Sequence, residues 1–464
     1  TPRPVRRGQY RRSQLRDLDL RRSISMRRSW AIFHLFRQSL AGRSQGGNRA
    51  RGGEWTFTRW RPHMTNMTYD CDIAIVGGGL NGPALALALA GAGCSVTLID
   101  ALPVAQRADP AFDGRAYAVA LTSQNLLRAL GVWEDVAAHA QPILDIMVSD
   151  GRAGEGGSPL HVHFDHREIE EGPFGALVED RHLRRALIDA VSANTAVTVR
   201  APERVIEQKT DATGAEVSLE SGETVRARLI VGCDGRGSGT AERAGIARMQ
   251  WGYNQTSLVC AIEHDLPHDG TAHQMFFPEG PLAILPLKGN RSSIVWTEET
   301  TRAAAVQAMT DEGYLAALRP RFGDFLGDIR LAGQRYTYPL GLSLARAWTA
   351  ERVVLAGDAA HGIHPLAGQG LNLGLRDIAA LAEVLTDSKR RGEDFARDSV
   401  LERYVRWRRF DTAGLAMATD GINRLFSNDN PLLRGLRDLG LGAVNAVPRA
   451  RRGFMREAAG LTGD

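Results

Sequence analysis

The sequence predicts an α/β fold: a Rossmann-like dinucleotide-binding domain interleaved with a β-sheet domain that carries a pocket, followed by a helical C-terminal tail. Three observations predict it. Near the start, a short apolar strand runs through Gly77-x-Gly79-x-x-Gly82 into an apolar helix, then a second strand that ends in Asp100. Far downstream, the run Val353-Val354-Leu355 breaks at Gly357-Asp358, crosses a loop rich in Gly and Pro, and enters a helix pattern from about Gln369 to Leu385. Between the two, from Gly245 to about Leu342, the pattern changes to alternating strands.

Length and composition bound the classes. A chain of 464 residues, 43% hydrophobic and 24% charged, can bury a large core in two intimately connected domains. The four cysteines, Cys71, Cys94, Cys233 and Cys260, lie far apart and make no CxxC pair, which points to reduced thiols and a cytoplasmic protein. No apolar run reaches the roughly 18 residues of a spanning helix. Charge is unevenly spread. Residues 1–66 hold sixteen Arg, no Lys and three acids, a net of +13; the whole chain is +4, so residues 67–464 carry −9. An acidic body argues against nucleic acid as its partner.

In chain order, residues 1–66 read as an Arg-rich leader expected to be disordered. Its composition suits translation in frame from upstream of a start at Met64 or Met67, a transit peptide, or a basic arm for RNA or anionic lipid. The opening Thr1 favours the first.

Residues 67–140 read as the first part of the dinucleotide-binding domain. Asp72–Val76 is a strand, Gly77, Gly79 and Gly82 form the turn, Pro83–Ala92 is the helix and Ser95–Ile99 the second strand. Glycines that follow a strand, open a helix and precede an acid about 20 residues on make a dinucleotide site. Pyrophosphate would rest on the helix N-terminus, and Asp100 would accept from the adenosine ribose hydroxyls. A further helix begins at Thr122, with Leu126, Leu127 and Leu130 on its core face. Arg115 precedes it, in a loop opened by Asp113-Gly114, and a surface pair with Asp113 is its plainer role.

Residues 141–180 read as inserted strands around Ile143–Val148, His161–Phe164 and Gly175–Val178. His161, His163 and His166 lack a matching Cys or carboxylate set, so no metal site is expected. Residues 181–244 return to the dinucleotide-binding domain. A helix from Asp180 to Val191 brings Arg181 or Arg184 toward the pyrophosphate; strands follow at Val197–Arg200 and Glu216–Leu219, then a buried run that ends in Asp234-Gly235. Residues 245–342 form the substrate-binding sheet domain, with strands at Ser257–Glu263, His273–Phe277, Leu282–Leu287 and Ser292–Thr297 and one helical stretch near Arg302–Leu318. Phe276, Phe277, Pro281, Leu285, Pro286 and Trp296 make its cavity apolar. Residues 343–390 complete the dinucleotide-binding domain, and residues 391–464 are the C-terminal helices.

The Gly357-Asp358 stretch carries the chemistry. An acid at the carboxyl end of a buried strand stands where open α/β sheets bind ligands. Beyond Asp358, Pro365, Gly368, Gln369, Gly370, Leu371 and Asn372 lead into a glycine-lined helix start, with free N–H groups and the positive end of a dipole. A helix cap alone requires neither the three glycines nor the proline and Asn at these spacings. The arrangement suits a cofactor with hydroxyls at one end and, at the other, a ring that becomes anionic. Reduced flavin fits.

The strings GDAAH and HPLAGQGLNLG, preceded by GxGxxG and by Asp234-Gly235-x-x-Ser238, resemble the signature of the FAD-dependent hydroxylases of ubiquinone biosynthesis (the UbiH/UbiF/VisC type), within the class A flavin monooxygenases. The resemblance covers about residues 69–460. It implies an FAD-binding domain of the p-hydroxybenzoate-hydroxylase type, with Arg115 contacting the flavin from a mobile segment and Asp234 near the ribityl chain. It implies NAD(P)H as a transient co-substrate without a domain of its own, and O₂. The ring of a polyprenylated phenol would be hydroxylated through a flavin C4a-hydroperoxide, with no protein nucleophile. Pro365 would shape the oxygen-reactive face, and the helix start from Gln369 to Asn372 would stabilise negative charge on the flavin. Ala241 stands where the family often has Arg, which leaves the pyridine-nucleotide part of that motif open. A hydroxylase of a soluble aromatic acid, and a non-catalytic flavin-bound subunit of a biosynthetic complex, remain as alternatives.

The tail adds one expectation. Leu432, Leu436, Leu439, Ala443 and Val447 fall at helical spacing with Arg434 and Arg437 off the stripe, and Arg449, Arg451, Arg452 and Arg456 follow Pro448. This points to peripheral contact with the cytoplasmic membrane, although packing within the domain or other ubiquinone-biosynthesis proteins could use the same face.

Overall fold

The computed structural model describes residues 68–461 apart from positions 112, 113, 159 and 170. The leader and Asp113 therefore lie outside the described residues. β1 (Cys71–Val76) is apolar on both faces because it is the interior strand of a parallel sheet. α1 (Asn81–Gly91) follows, and its residues from Gly82 to Leu89 are all buried. A helix apolar all round has no solvent side; this one is covered by the sheet, by α2 (Asp180–Ser192) and by α3 (Gln369–Arg390). β2 (Val96–Ile99) runs parallel to β1 with Ile73 beside Val96.

On the other side of β1 lies β3 (Thr224–Gly232), with Ile73 beside Leu229, and beyond it β4 (Val353–Leu355), with Ile230 beside Val353; both run parallel. The sheet has eight strands and includes Val205–Thr210, a strand the alternation alone did not reveal. Its carboxyl edge matters most. β1, β3 and β4 end there in Gly77, in Asp234-Gly235 and in Gly357-Asp358, so three motifs scattered over 280 residues meet on one rim.

A second, ten-stranded sheet is built around Arg248–His264, paired antiparallel with Arg291–Glu299 on one side and Tyr336–Ala345 on the other. Asp145–Arg152 joins it, running parallel to Thr271–Phe277. His361–Gly362 pairs with Ser343–Leu344, which ties the segment after Asp358 to this sheet. Ala116–Ala120, Gly175–Glu179 and Gln141–Ile143 make a small third sheet.

One sequence expectation changes here. The helical stretch near Arg302–Leu318 is two helices, Thr300–Gln307 and Asp311–Phe322, because Thr310 caps the second by accepting from the Gly313 N–H. The tail is three helices: α4 (Asp398–Phe426), α5 (Pro431–Ala446), capped by Asn430, and α6 (Pro448–Ala458). Arg437, expected off the apolar stripe, is 5% exposed; its Nη2 donates to Asp150 Oδ2 at 2.8 Å. No helix among the described residues is long and apolar enough to cross a membrane.

Candidate active site

The turn after β1 is glycine for steric reasons. Gly77 has φ +111°, a left-handed backbone, and a Cβ at Gly82 would run into the Gly77 carbonyl. Gly79 faces open space, with nothing within 4 Å of where a Cβ would stand. Asp100 Oδ2 accepts from the Gly78 N–H at 2.5 Å and Oδ1 from the Leu102 N–H at 2.8 Å. Arg107, buried, donates to the Gly78 carbonyl at 2.6 Å and lies 3.6 Å from Asp100. Its Nε has no hydrogen-bond partner.

On the same rim, Gly357 (φ +61°) turns the chain and Asp358 points outward beside Arg236, 3.5 Å away. The turn is held from behind. Asp377 on α3, fully buried, accepts from the Gly357 N–H at 3.1 Å, from His361 Nε2 at 2.5 Å and from Arg408 Nε at 2.9 Å. Burial opposes the Asp377 charge, but His361 and Arg408 outweigh it and hold the carboxyl below its usual range. Gly368 (φ +63°) caps α3, and Gly370 has nothing within 4 Å of a Cβ position. Asn372 locks the helix start to Ala116–Ala120, accepting from the Ala120 N–H at 2.9 Å and donating to the Ala118 carbonyl at 2.7 Å.

These parts surround one cavity of roughly 1110 Å³. Of the residues expected from sequence, Gly79, Asp100, Arg115, Gly235, Asp358, Pro365, Gly368, Gln369, Gly370, Leu371 and Asn372 line it. Gly77, Gly82, Asp234 and Gly357 do not; they form its supporting backbone. Asp234 is committed to its own turn, accepting from Ser238 Oγ at 2.5 Å and from the Thr240 N–H at 2.9 Å. Arg115 pairs with Asp180 at 3.3 Å. Arg184 lines the cavity and Arg181 instead donates to the Pro110 carbonyl at 3.0 Å. Of the apolar candidates in the sheet, Phe276 and Leu285 line the cavity, whereas Phe277 and Trp296 are packed into a separate core.

Among the lining residues that sequence reasoning missed are Asn81, Arg107 and Asp180. Asn81 fits between Gly357 and Gly374, where any Cβ would strike it, and its Oδ1 is buried without a partner. An Asn opening the helix of a glycine turn was the available signal. At the far end, Ile146, Val148, Val162, Phe164 and Val259 make the lining apolar. His273 joins them, and burial lowers its pKa to about 4.

The FAD-binding-domain family matches residues 70–417. The chain is 45% identical over 389 residues to the ubiquinone hydroxylase UbiL of Rhodospirillum rubrum, covering 84% of this chain and 89% of the relative. It belongs to this family of FAD-dependent hydroxylases. It is also 36% identical to the 3-demethoxyubiquinol 3-hydroxylase of Escherichia coli, across 86% of this chain and all of that one. Among solved structures, p-nitrophenol 4-monooxygenase PnpA of Pseudomonas putida superposes with a TM-score of 0.70 at 20% identity, covering 86% of this chain and 99% of that one, a likeness of fold. FAD suits the site of this flavoprotein. Bare glycine backbone at Gly79 and Gly370 leaves room for close approach, and the buried Asn81 Oδ1 and Arg107 Nε await partners.

Proposed function

We propose that this flavoprotein hydroxylates the aromatic ring of a polyprenylated phenol in ubiquinone biosynthesis, with NAD(P)H as transient reductant and O₂ as oxidant. The supporting observation is that the glycine-lined rim and an apolar arm lined by the second sheet belong to one cavity. The Gly77–Gly82 turn and the N-terminus of α1 take the pyrophosphate, beside Asp100 and Arg107. Asp358, beside Arg236, would hold the hydroxyls of the ribityl chain. The N-terminus of α3, from Gln369 to Asn372, would stabilise negative charge on the ring. Bound FAD supplies the redox chemistry that activates O₂.

The remaining residues position and protect. Pro365, Leu366 and Ile363 shape the wall next to the helix start, and the apolar arm excludes water from the reacting ring. Ser257, His273 and Gln274 are polar groups on that arm able to orient a phenol hydroxyl, with His273 held neutral by burial. A soluble aromatic acid would call for a cation there. The lining cations Arg107, Arg115, Arg184 and Arg236 instead lie beside Asp100, Asp180 or Asp358 at the rim. A substrate with a prenyl tail partitions into lipid, so peripheral contact with the cytoplasmic membrane, or with other enzymes of the same synthesis, belongs to this proposal. Mass spectrometry of the quinone intermediate that accumulates in a deletion strain tests it. A prenylated phenol lacking one ring hydroxyl is expected, and an unchanged quinone profile would refute it.

A further inference from the structure

The three tail helices wall the cavity on one side and show apolar residues to solvent on the other. Phe426 of α4, Leu441 and Val444 of α5 and Met455 of α6 line the cavity. Leu432, Leu436 and Leu439 of α5 are 74%, 58% and 65% exposed. They recur at i, i+4 and i+7, on the opposite side of the helix from Leu441. Ile422 and Phe454 line the cavity and are also exposed, so it reaches solvent at these helices. Phe410 and Met417 extend the apolar surface along α4.

Charge sorts the same way. Residues 430–461 hold six Arg and two acids, a net of +4, on a body whose net is −9. Arg434, Arg437, Arg451 and Arg456 are tied to Glu155, Asp150, Glu168 and Glu171. Arg449 and Arg452 have no carboxylate partner among the described residues.

We propose that this face docks on an anionic bilayer, with the outer leucines of α5 among the acyl chains and Arg449 and Arg452 at the headgroups. The prenyl tail then passes between lipid and cavity beside Ile422 and Phe454. This rests on the polyprenylated-phenol reading, which supplies the reason for lipid as the occupant. A helix with an apolar face and basic neighbours binds such an interface through both.

The test is flotation of the FAD-loaded full chain with vesicles of seven parts phosphatidylcholine to three of phosphatidylglycerol, at low and high salt. The leader's arginines act alike in every variant, and the high-salt arm, where their attraction to the vesicles is screened, isolates the contribution of the tail's apolar face. The triple variant Leu432→Glu, Leu436→Glu, Leu439→Glu is expected to lose at least tenfold in partitioning at both salt levels. Arg449→Gln with Arg452→Gln is expected to lose roughly thirtyfold on anionic vesicles and nothing on pure phosphatidylcholine. Both variants keep their flavin and turn over a water-soluble, short-chain prenyl phenol within twofold of wild type. Equal flotation of wild type and the triple variant overturns the proposal. So does flotation that requires added proteins, or a triple variant changed in oligomeric state alone. A wild type that floats as described but does not hydroxylate the short-chain phenol counts against the substrate reading and leaves the docking face standing.

Discussion

His364, between the turn that carries Asp358 and the wall formed by Pro365, makes the chain sensitive to mild acid. The ring is 1% exposed, sits edge-on to Tyr253 at 5.2 Å, and neither nitrogen has a hydrogen-bond partner. Burial lowers its pKa from 6.5 to about 4, and the nearby Arg236 adds to the effect. The unfolded ring takes up a proton below pH 6.5, whereas the folded ring stays neutral until about pH 4. Protonation between these values therefore favours the unfolded chain, and stability falls as pH drops through the window. At about 1.4 kcal/mol per pH unit, the loss from this residue is roughly 2 kcal/mol between pH 7 and pH 5 and roughly 3 kcal/mol by pH 4. His364→Leu, close in volume and breaking no hydrogen bond, is expected to cost less than about 1.5 kcal/mol at pH 7. At pH 5 it should be more stable than wild type, relative to that baseline, by roughly 2 kcal/mol. Urea unfolding of the flavin-free protein at both pH values reads the difference without flavin loss intervening. A gap between variant and wild type that is the same at pH 7 and pH 5 would refute the reasoning.

Two further predictions concern the Gly357-Asp358 turn. Asp358→Ala should weaken FAD binding by about 1–3 kcal/mol, through flavin hydroxyls left without an acceptor; full flavin occupancy of the variant at dilute concentration would contradict that role. Arg408→Met leaves Asp377 fully buried with a smaller countercharge and should destabilise the fold by about 3–5 kcal/mol. Because Arg408 helps hold the Asp377 pKa down, the variant should lose less stability than wild type as acid is added, so the gap between the two narrows as pH falls below about 3.8, which thermal melts between pH 7 and pH 3 can follow.

What was legible in the sequence was what is local. Gly77, Gly79, Gly82 and Asp100 follow from strand, turn and helix in one stretch, and Gly368 to Asn372 from a glycine-rich helix start. The cavity also needed contacts between distant segments, which no local pattern encodes. Arg107 joins the rim through the Gly78 carbonyl, and Asp180 through Arg115. Arg437 had no partner legible in the sequence because Asp150 is 287 residues away, and only the folded chain brings that carboxylate to it. Phe276 and Trp296 looked equivalent, since apolar side chains fall on both faces of both strands. One face packs on the helices Thr300–Gln307 and Asp311–Phe322, which gives Trp296 to a core, and the other gives Phe276 to the cavity.

The central claim is that FAD at this rim directs one atom of O₂ into a ring held in the apolar arm. The most direct measurement supplies the purified holoenzyme with NAD(P)H, a prenylated phenol in vesicles and ¹⁸O₂, and follows the product by mass spectrometry. A product carrying a single ¹⁸O on the ring, formed in step with NAD(P)H oxidation, is expected. Oxidation of NAD(P)H that yields only hydrogen peroxide, or a hydroxylated product whose oxygen comes from water, would contradict it.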